Sequence, residues 1–212
     1  MLRVWGLDSA ANAQKVFWCL GELGIPYEHV AAPAAPESAR DRRYLALQGD
    51  VVPMIDDDGF VLFEGNAIAR YLAETYGRAP FWPATAKGRA DAGRWMDFQL
   101  STLRGFLHQL MRGTPDRART AELARALADG LEVVERALER SPYLAGDDFT
   151  VGDIPIGIMA YRWHALAIER RGMPAIEAWY ARLRARPAFR QHVERRPPQG
   201  SFTPLEASGD RA

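Results

Sequence analysis

Cysteine is almost missing from this chain, which has Cys19 alone. One thiol cannot make an internal disulfide, a CxxC redox pair or a cysteine-based zinc cluster, so redox chemistry would have to use Cys19 by itself. Long apolar runs are missing too, and none approaches the about 18 residues a membrane helix needs. No basic excess exists, since 27 Lys and Arg balance 27 Asp and Glu, which excludes the electrostatic footprint of a nucleic-acid binder and the polybasic patch of a lipid binder. There is no GxSxG elbow, and His29, His108, His164 and His192 show no metal-ligand spacing; a hydrolase finds no support and no metal is expected. The stretch Met1 to Gly6 reads as a strand rather than as a charged region followed by an apolar run, which predicts a cytoplasmic protein.

What is present is an ordinary globular composition, 48% hydrophobic and 25% charged over 212 residues, enough for one large or two small domains. Residues 1–77 carry 6 basic and 11 acidic side chains, a sum of −5 that the remainder offsets. Such asymmetry favours two packed domains over a charged partner.

The first third alternates strand and helix, as a sheet covered by helices does. Arg3 to Gly6 is strand-like. A helix is expected from about Ala13, with Val16, Phe17, Leu20 and Leu23 on one face, stopped by Gly24 and Pro26. Tyr27 to Val30 reads as a second strand, Ala31 to Ala35 as a loop, and Glu37 to Leu47 as a short helix. Pro53 to Ile55 and Phe60 to Phe63 flank Asp56-Asp57-Asp58-Gly59, a hairpin signal whose aspartates read as a solvated turn. From Gly65 a helix runs to Tyr76, with Gly77 as its stop.

Residues 78–86, with Pro80, Pro83 and the exposed pair Phe81-Trp82, read as a linker. Beyond them strand signals stop. Leu100, Leu103, Leu107 and Leu110 mark one helix; Leu123, Leu127, Leu131, Val134 and Leu138 a second; Ile154, Ile158, Tyr161, Ala165 and Ile168 a third; Ile176, Trp179 and Leu183 a fourth, ending before Pro187. Thr150-Val151-Gly152-Asp153 has the spacing of a capping box, and Pro155 just after it predicts a bend or a loosened first turn. Residues 194–212 read as a tail, polar and Pro/Gly-containing from Pro197. The division expected is 1–77, a linker at 78–86, a helical domain over 87–193, and the tail.

Asn12 to Trp18 leading to Glu22-Leu23-Gly24-Ile25-Pro26-Tyr27, then Val52-Pro53, Glu64-Gly65-Asn66-Ala67-Ile68 and Phe149 to Ile154, taken in this order, resemble the cytosolic glutathione transferase superfamily from Leu2 to about Val193. The resemblance implies an α/β plus all-α architecture: a thioredoxin-like N-terminal domain of order βαβαββα and an all-helical C-terminal domain. It implies glutathione as co-substrate, a hydrophobic electrophile as partner, a homodimer and a detoxification role, either conjugation or reduction of peroxides or disulfides. Glutathione brings two carboxylates, an ammonium and a thiol, so its site needs anion donors, an acid and a free backbone edge. The amides of Gly65 and Asn66 at a helix start suit the γ-glutamyl carboxylate, Glu64 the ammonium, and Val52 before a cis Pro53 the cysteinyl backbone. Read without the family, Val52-Pro53 is a trans proline on an edge strand and Glu64 an acid favouring a helix N-terminus. Arg40, Arg42 and Arg43 suit either the glycine carboxylate or a solvated helix face.

Catalysis in such enzymes needs a donor beside the glutathione sulfur. Related bacterial proteins place Ser or Thr where this chain has Ala10, leaving Ser9 and Asn12 as catalytic candidates; Asn12 reads equally well as the N-cap of its helix. Gly65 replaces a usual Ser, and the segment Gln48 to Val51 is one residue shorter than usual and lacks its basic residue. These departures leave an alternative open, a non-catalytic protein of the same fold that binds glutathione or a small anion, or serves as a dimeric scaffold. Trp95, Leu103, Phe106 and Trp163 are candidates for the electrophile site, with core packing as their other reading. Cys19, beside the apolar face of its helix, reads as buried and inert.

Overall fold

A four-stranded mixed sheet organises the N-terminal third of a computed structural model that describes residues 1–30, 53–113 and 116–195. Strands β1 (Arg3–Trp5), β2 (Glu28–Val30), β3 (Met54–Asp57) and β4 (Phe60–Phe63) lie in the order β2-β1-β3-β4. β1 pairs parallel with β2 and antiparallel with β3, and β3 pairs antiparallel with β4. The βαβ connection is helix α1 (Ala11–Leu23), which Gly24 ends in the left-handed conformation at φ 65. Helix α2 (Gly65–Tyr76) follows β4. Gly77 stops it for a different reason from the one expected: its φ is −83, but an added Cβ would lie 2.3 Å from the Ala73 carbonyl oxygen.

The hairpin turns at Asp58-Gly59, both at positive φ. Its aspartates are not one solvated turn. Asp56 is buried and accepts from the Gly59 amide at 2.8 Å, Asp57 accepts from the Tyr71 and Tyr76 hydroxyls, and only Asp58 is strongly exposed, paired with the terminal ammonium at 2.7 Å. The expected loop Ala31 to Ala35, the helix Glu37 to Leu47, Arg40, Arg42, Arg43, the segment Gln48 to Val51, Val52 itself and the chain from Pro197 lie outside the described residues.

The helical part runs α3 (Ala86–Phe98), α4 (Arg104–Arg112), α5 (Arg117–Leu138), α6 (Asp153–His164), α7 (Pro174–Arg184) and the single turn α8 (Pro187–Phe189). Two π-helical segments interrupt this run: Gln99–Leu103 between α3 and α4, and Arg190–Glu194 after α8. The first corrects the expected periodicity. A π turn inserts a residue into the helical phase, so Leu100 is turned out to solvent while Gln99 and Leu103 are buried. Ala165 and Ile168, expected on the third helix, fall beyond the end of α6.

The Thr150 and Asp153 side chains bond reciprocally to backbone amides just ahead of α6, although the helix's own N-cap is Gly152, which has no side-chain cap. The Thr150 hydroxyl accepts from the Gly152 amide at 3.2 Å, and the Asp153 carboxylate accepts from the Thr150 amide at 2.9 Å, the Leu144 amide at 3.1 Å and the Trp179 indole at 2.9 Å. Because α6 starts at Asp153, Pro155 falls in the first turn, where amides have no intrahelical partner anyway. Pro155 therefore gives up no bond within α6, and the Val151 carbonyl accepts from the Ile154 amide at 3.4 Å instead.

One core spans both halves. Trp18 on α1 is fully buried against Phe149 and Phe189, ring centroids at 5.6 and 4.9 Å, a burial worth about 4 kcal/mol. Gly157 on α6 has room for no side chain, since an added Cβ would sit 2.9 Å from the Trp18 ring. Glu22 accepts from Trp18 at 2.7 Å and takes a two-pronged bond from Arg186 at 2.8 and 2.6 Å. Phe81 and Trp82 are not exposed as the linker reading has it. Phe81 stacks on Phe149 at 5.9 Å, and its carbonyl accepts from the Val151 amide at 3.1 Å. Glu194 lies in the last π segment rather than in a tail, and Val193 beside it is fully buried.

Candidate active site

Helix α1 begins without a side-chain cap. Its N-cap is Ala10, which has no side-chain acceptor to offer the amides of the first turn, and Asn12 is the second residue inside the helix. This excludes the capping role for Asn12. Helix α2 also starts uncapped, behind Glu64, whose backbone sits at φ 72 and ψ 113. Such a conformation costs a non-glycine residue about 1–3 kcal/mol and collects at functional sites. The two helix starts meet: a Cβ added to Gly65 would stand 2.6 Å from the Asn12 carbonyl oxygen and 3.4 Å from Cδ of Lys15. Glycine at 65 is therefore what this contact requires, besides being a lost hydroxyl.

Lys15, one turn along α1, is 2% exposed, and its ammonium donates to Oε1 of Gln99 at 2.9 Å. The π turn is what delivers Gln99 to that position. Burial, reinforced by the positive charge of Arg104, pulls the Lys15 amine down to about 7, against the opposing pull of Glu64. On α6, Arg162 is 5% exposed and donates through Nη2 to the Ser9 carbonyl at 2.7 Å and to Oε1 of Gln14 at 2.9 Å. Its Nε has no partner, and burial holds its guanidinium below the usual range.

These groups border one cavity of about 510 Å³ between the two halves. Ser9 to Asn12 and Lys15 form one side, Gln99, Arg104, Leu107, His108, Met111 and Arg112 a second, and Pro155, Ile158, Met159 and Arg162 a third. The structure thus brings both catalytic candidates, Ser9 and Asn12, to the same opening. Among the residues expected to hold glutathione, Gly65 and Asn66 supply free first-turn amides, since the first intrahelical bond of α2 is Ile68 to the Glu64 carbonyl. The Asn66 side chain is committed elsewhere, donating to the Met96 carbonyl at 2.8 Å. Pro53 is buried, and Glu64 is exposed at the α2 start.

The expected electrophile residues do not border the cavity. Trp95 and Trp163 are buried and packed against Phe98 and His164, and Leu103 is fully buried with its Cδ2 2.5 Å from the position of a Gly130 Cβ. Phe106 is half-buried against the core. The apolar wall is instead Leu107, Met111, Pro155, Ile158 and Met159. Cys19 is fully buried, its sulfur 3.7 Å from the Ala69 carbonyl oxygen, and burial pushes its thiol far up. Lys15 and Arg162 were the residues sequence reasoning passed over. Their signal was a lone cation inside an otherwise apolar helix run.

Two family descriptions match the chain: glutathione S-transferase, N-terminal domain, over residues 11–75, and glutathione S-transferase, C-terminal domain, over residues 117–182. The chain is 34% identical over 203 residues to glutathione S-transferase GstB of Escherichia coli (strain K12), covering 91% of this chain and 98% of that protein. It is 31% identical over 217 residues to glutathione S-transferase 3 of Zea mays, covering 91% and 93%. Among solved structures it is similar to the theta class glutathione S-transferase of Xanthomonas axonopodis pv. citri. The apo form has a TM-score of 0.79 at 36% identity, and the form with glutathione bound 0.78 at 37%; both cover 91% of this chain and 96% of that one.

Proposed function

Because the chain belongs to the glutathione S-transferase family and is a glutathione transferase, we propose that it conjugates glutathione, held where α1 and α2 begin, to an electrophile in the cavity that the start of α1 borders. The observation that carries this reading is the meeting of two uncapped helix N-termini at Asn12 and Gly65. Two positive dipole ends side by side, with Lys15 beneath them, are unfavourable until an anion fills the space. Glutathione offers two: its γ-glutamyl carboxylate for the amides of Gly65 and Asn66, and its thiolate for the start of α1.

On this reading Asn12 is the catalytic donor, its side-chain amide stabilising the sulfur anion, with the Ser9 hydroxyl as the other candidate. Pro53 borders the cysteinyl unit, and Glu64 takes the ammonium. Ionisation sends the thiol proton to solvent. The sulfur lone pair then attacks the electrophilic carbon, a C–S bond forms, and the leaving group departs with its electron pair.

The test is the ultraviolet thiolate absorbance of bound glutathione as pH is raised. The expected result is ionisation well below the ordinary thiol value of about 8.5; a thiol that stays protonated at neutral pH overturns the reading. Asn12→Ala removes no cap and introduces a better helix former, so it is a clean variant. It should raise the pH at which the thiol ionises by roughly one unit and lower kcat/KM about tenfold to a hundredfold. An unchanged pH profile would take Asn12 out of catalysis.

A further inference from the structure

Among the described residues, the cations that border the cavity form no ion pair within it. Lys15 and Arg162 are both at least nine-tenths buried, yet the partners they have are neutral oxygens: Gln99 Oε1 for Lys15, and the Ser9 carbonyl and Gln14 Oε1 for Arg162. Arg104 and Arg112 stand on the exposed rim, with His108 beside them, and no Asp or Glu borders the cavity among the described residues. Glu64, the acid whose charge acts on Lys15, is not among the bordering residues. Buried charges are ordinarily matched, because a desolvated ion without an opposite charge costs several kcal/mol. Lys15 meets that cost by giving up its proton near neutral pH; Arg162, which stays charged and keeps a free Nε beside the cavity, has no acid among the described residues to match it and is open to a counter-charge supplied from outside.

Resting on the transferase reading above, we propose that the electrophile taken by this enzyme is an amphipathic anion: an apolar body carrying a carboxylate or similar group, with Arg162 and the Arg104 rim binding the anion. The apolar body lies against Leu107, Met111, Ile158 and Met159, and the anion turns toward Arg162, whose guanidinium suits a planar carboxylate. The reacting carbon then faces the start of α1. In a chloro-nitroaromatic acid the sulfur–carbon bond forms as the carbon–chlorine bond breaks and chloride leaves, so the carboxylate takes part in binding alone.

Glutathione's own carboxylates share this chemistry, so the decisive measurement omits glutathione. Calorimetry in low-salt buffer compares dinitrobenzoate, which has no leaving group, with its methyl ester. The expected result is that the acid binds about tenfold or more tightly than the ester, the scale of one charged hydrogen bond. Arg162→Met should bring the two ligands to near-equal affinity. Because Arg162 also holds the Ser9 carbonyl, the rim variant Arg104→Gln serves as the second probe and should lower the acid-to-ester ratio severalfold. An ester that binds native protein as tightly as the acid overturns the proposal, as does a preference that survives both substitutions. Turnover of para-chloro-dinitrobenzoate and its ester, each corrected for its uncatalysed rate, separates the two readings. Conjugation of both without an acid preference sinks the anion subsite and keeps the transferase; an acid preference in binding with no conjugation of either keeps the subsite and sinks the conjugation reading.

Discussion

Lys15 is the residue whose behaviour departs most from its type. Its amine is held down to about 7 from 10.5, chiefly by burial. The unfolded chain therefore binds a proton there that the folded chain does not, throughout the window between those two values. Stability from this group is fully present above about 10.5, falls as pH drops through the window, and is lost below about 7. Lys15→Met removes the dependence, at a cost of about 1 kcal/mol for leaving Gln99 unpaired. In urea unfolding without ligand, the stability difference between native protein and variant should change by roughly 2 kcal/mol between about pH 7 and pH 9. A constant difference would mean that the buried amine stays fully protonated or fully neutral. At this scale the sequence was least informative. Ser9 and Asn12 could be singled out because the family pattern points at the first turn of α1, and both border the cavity. Lys15 and Arg162 were not, because a cation among apolar residues reads as a snorkelling surface residue until packing shows that both sides of the helix are covered. The electrophile residues were misplaced because size and aromaticity mark core as readily as site, and Trp95, Leu103 and Trp163 are core.

Between elements, the contact of α1 with α2 decides how Gly65 should be read. Judged from the family pattern, glycine there is a missing hydroxyl, and serine should restore glutathione affinity. The structure argues the opposite: a Cβ at 65 meets the Asn12 carbonyl oxygen at 2.6 Å, and that atom is backbone, which cannot swing aside as a side chain can. Gly65→Ser must separate the two helix starts by several tenths of an ångström. It should cost about 1–3 kcal/mol in stability, the usual range for overpacking, and glutathione affinity by calorimetry should not improve. A variant of native melting temperature that binds glutathione more tightly would show that the helices part freely. Helix and strand positions were read from periodicity to within a residue or two where caps and glycine stops are local, as at Gly24, at Asp58-Gly59 and at the Thr150 to Asp153 box. Periodicity failed at Gln99–Leu103, because a π turn breaks the 3.6-residue phase without any glycine or proline to announce it. That interruption is also what places Gln99 against Lys15 and sets the face of α4 that borders the cavity.

For the whole molecule, a division at residue 77 cuts through packing. Trp18 of α1 is buried among Phe149 and Phe189, Gly157 is closed against the same indole, and Glu22 is fastened to Arg186 by two bonds. The final π segment returns to α1, where an added Cβ at Gly21 would lie 2.8 Å from the His192 ring. The cavity itself exists only when α1 and α6 are in contact, since Arg162 of α6 holds the Ser9 carbonyl. Two units that share one core and a buried polar tie should unfold together. Scanning calorimetry is expected to give a single transition with calorimetric and van't Hoff enthalpies in agreement, and a fragment of residues 1–77 should not fold alone, because it would expose the Trp18 face. Removing that face should act on the whole molecule: Trp18→Ala is expected to cost about 3–5 kcal/mol, lowering one melting temperature rather than splitting it. Two resolved transitions, with only the first moved by Trp18→Ala, would show that the halves are energetically separate and that the cavity between them can open without unfolding either.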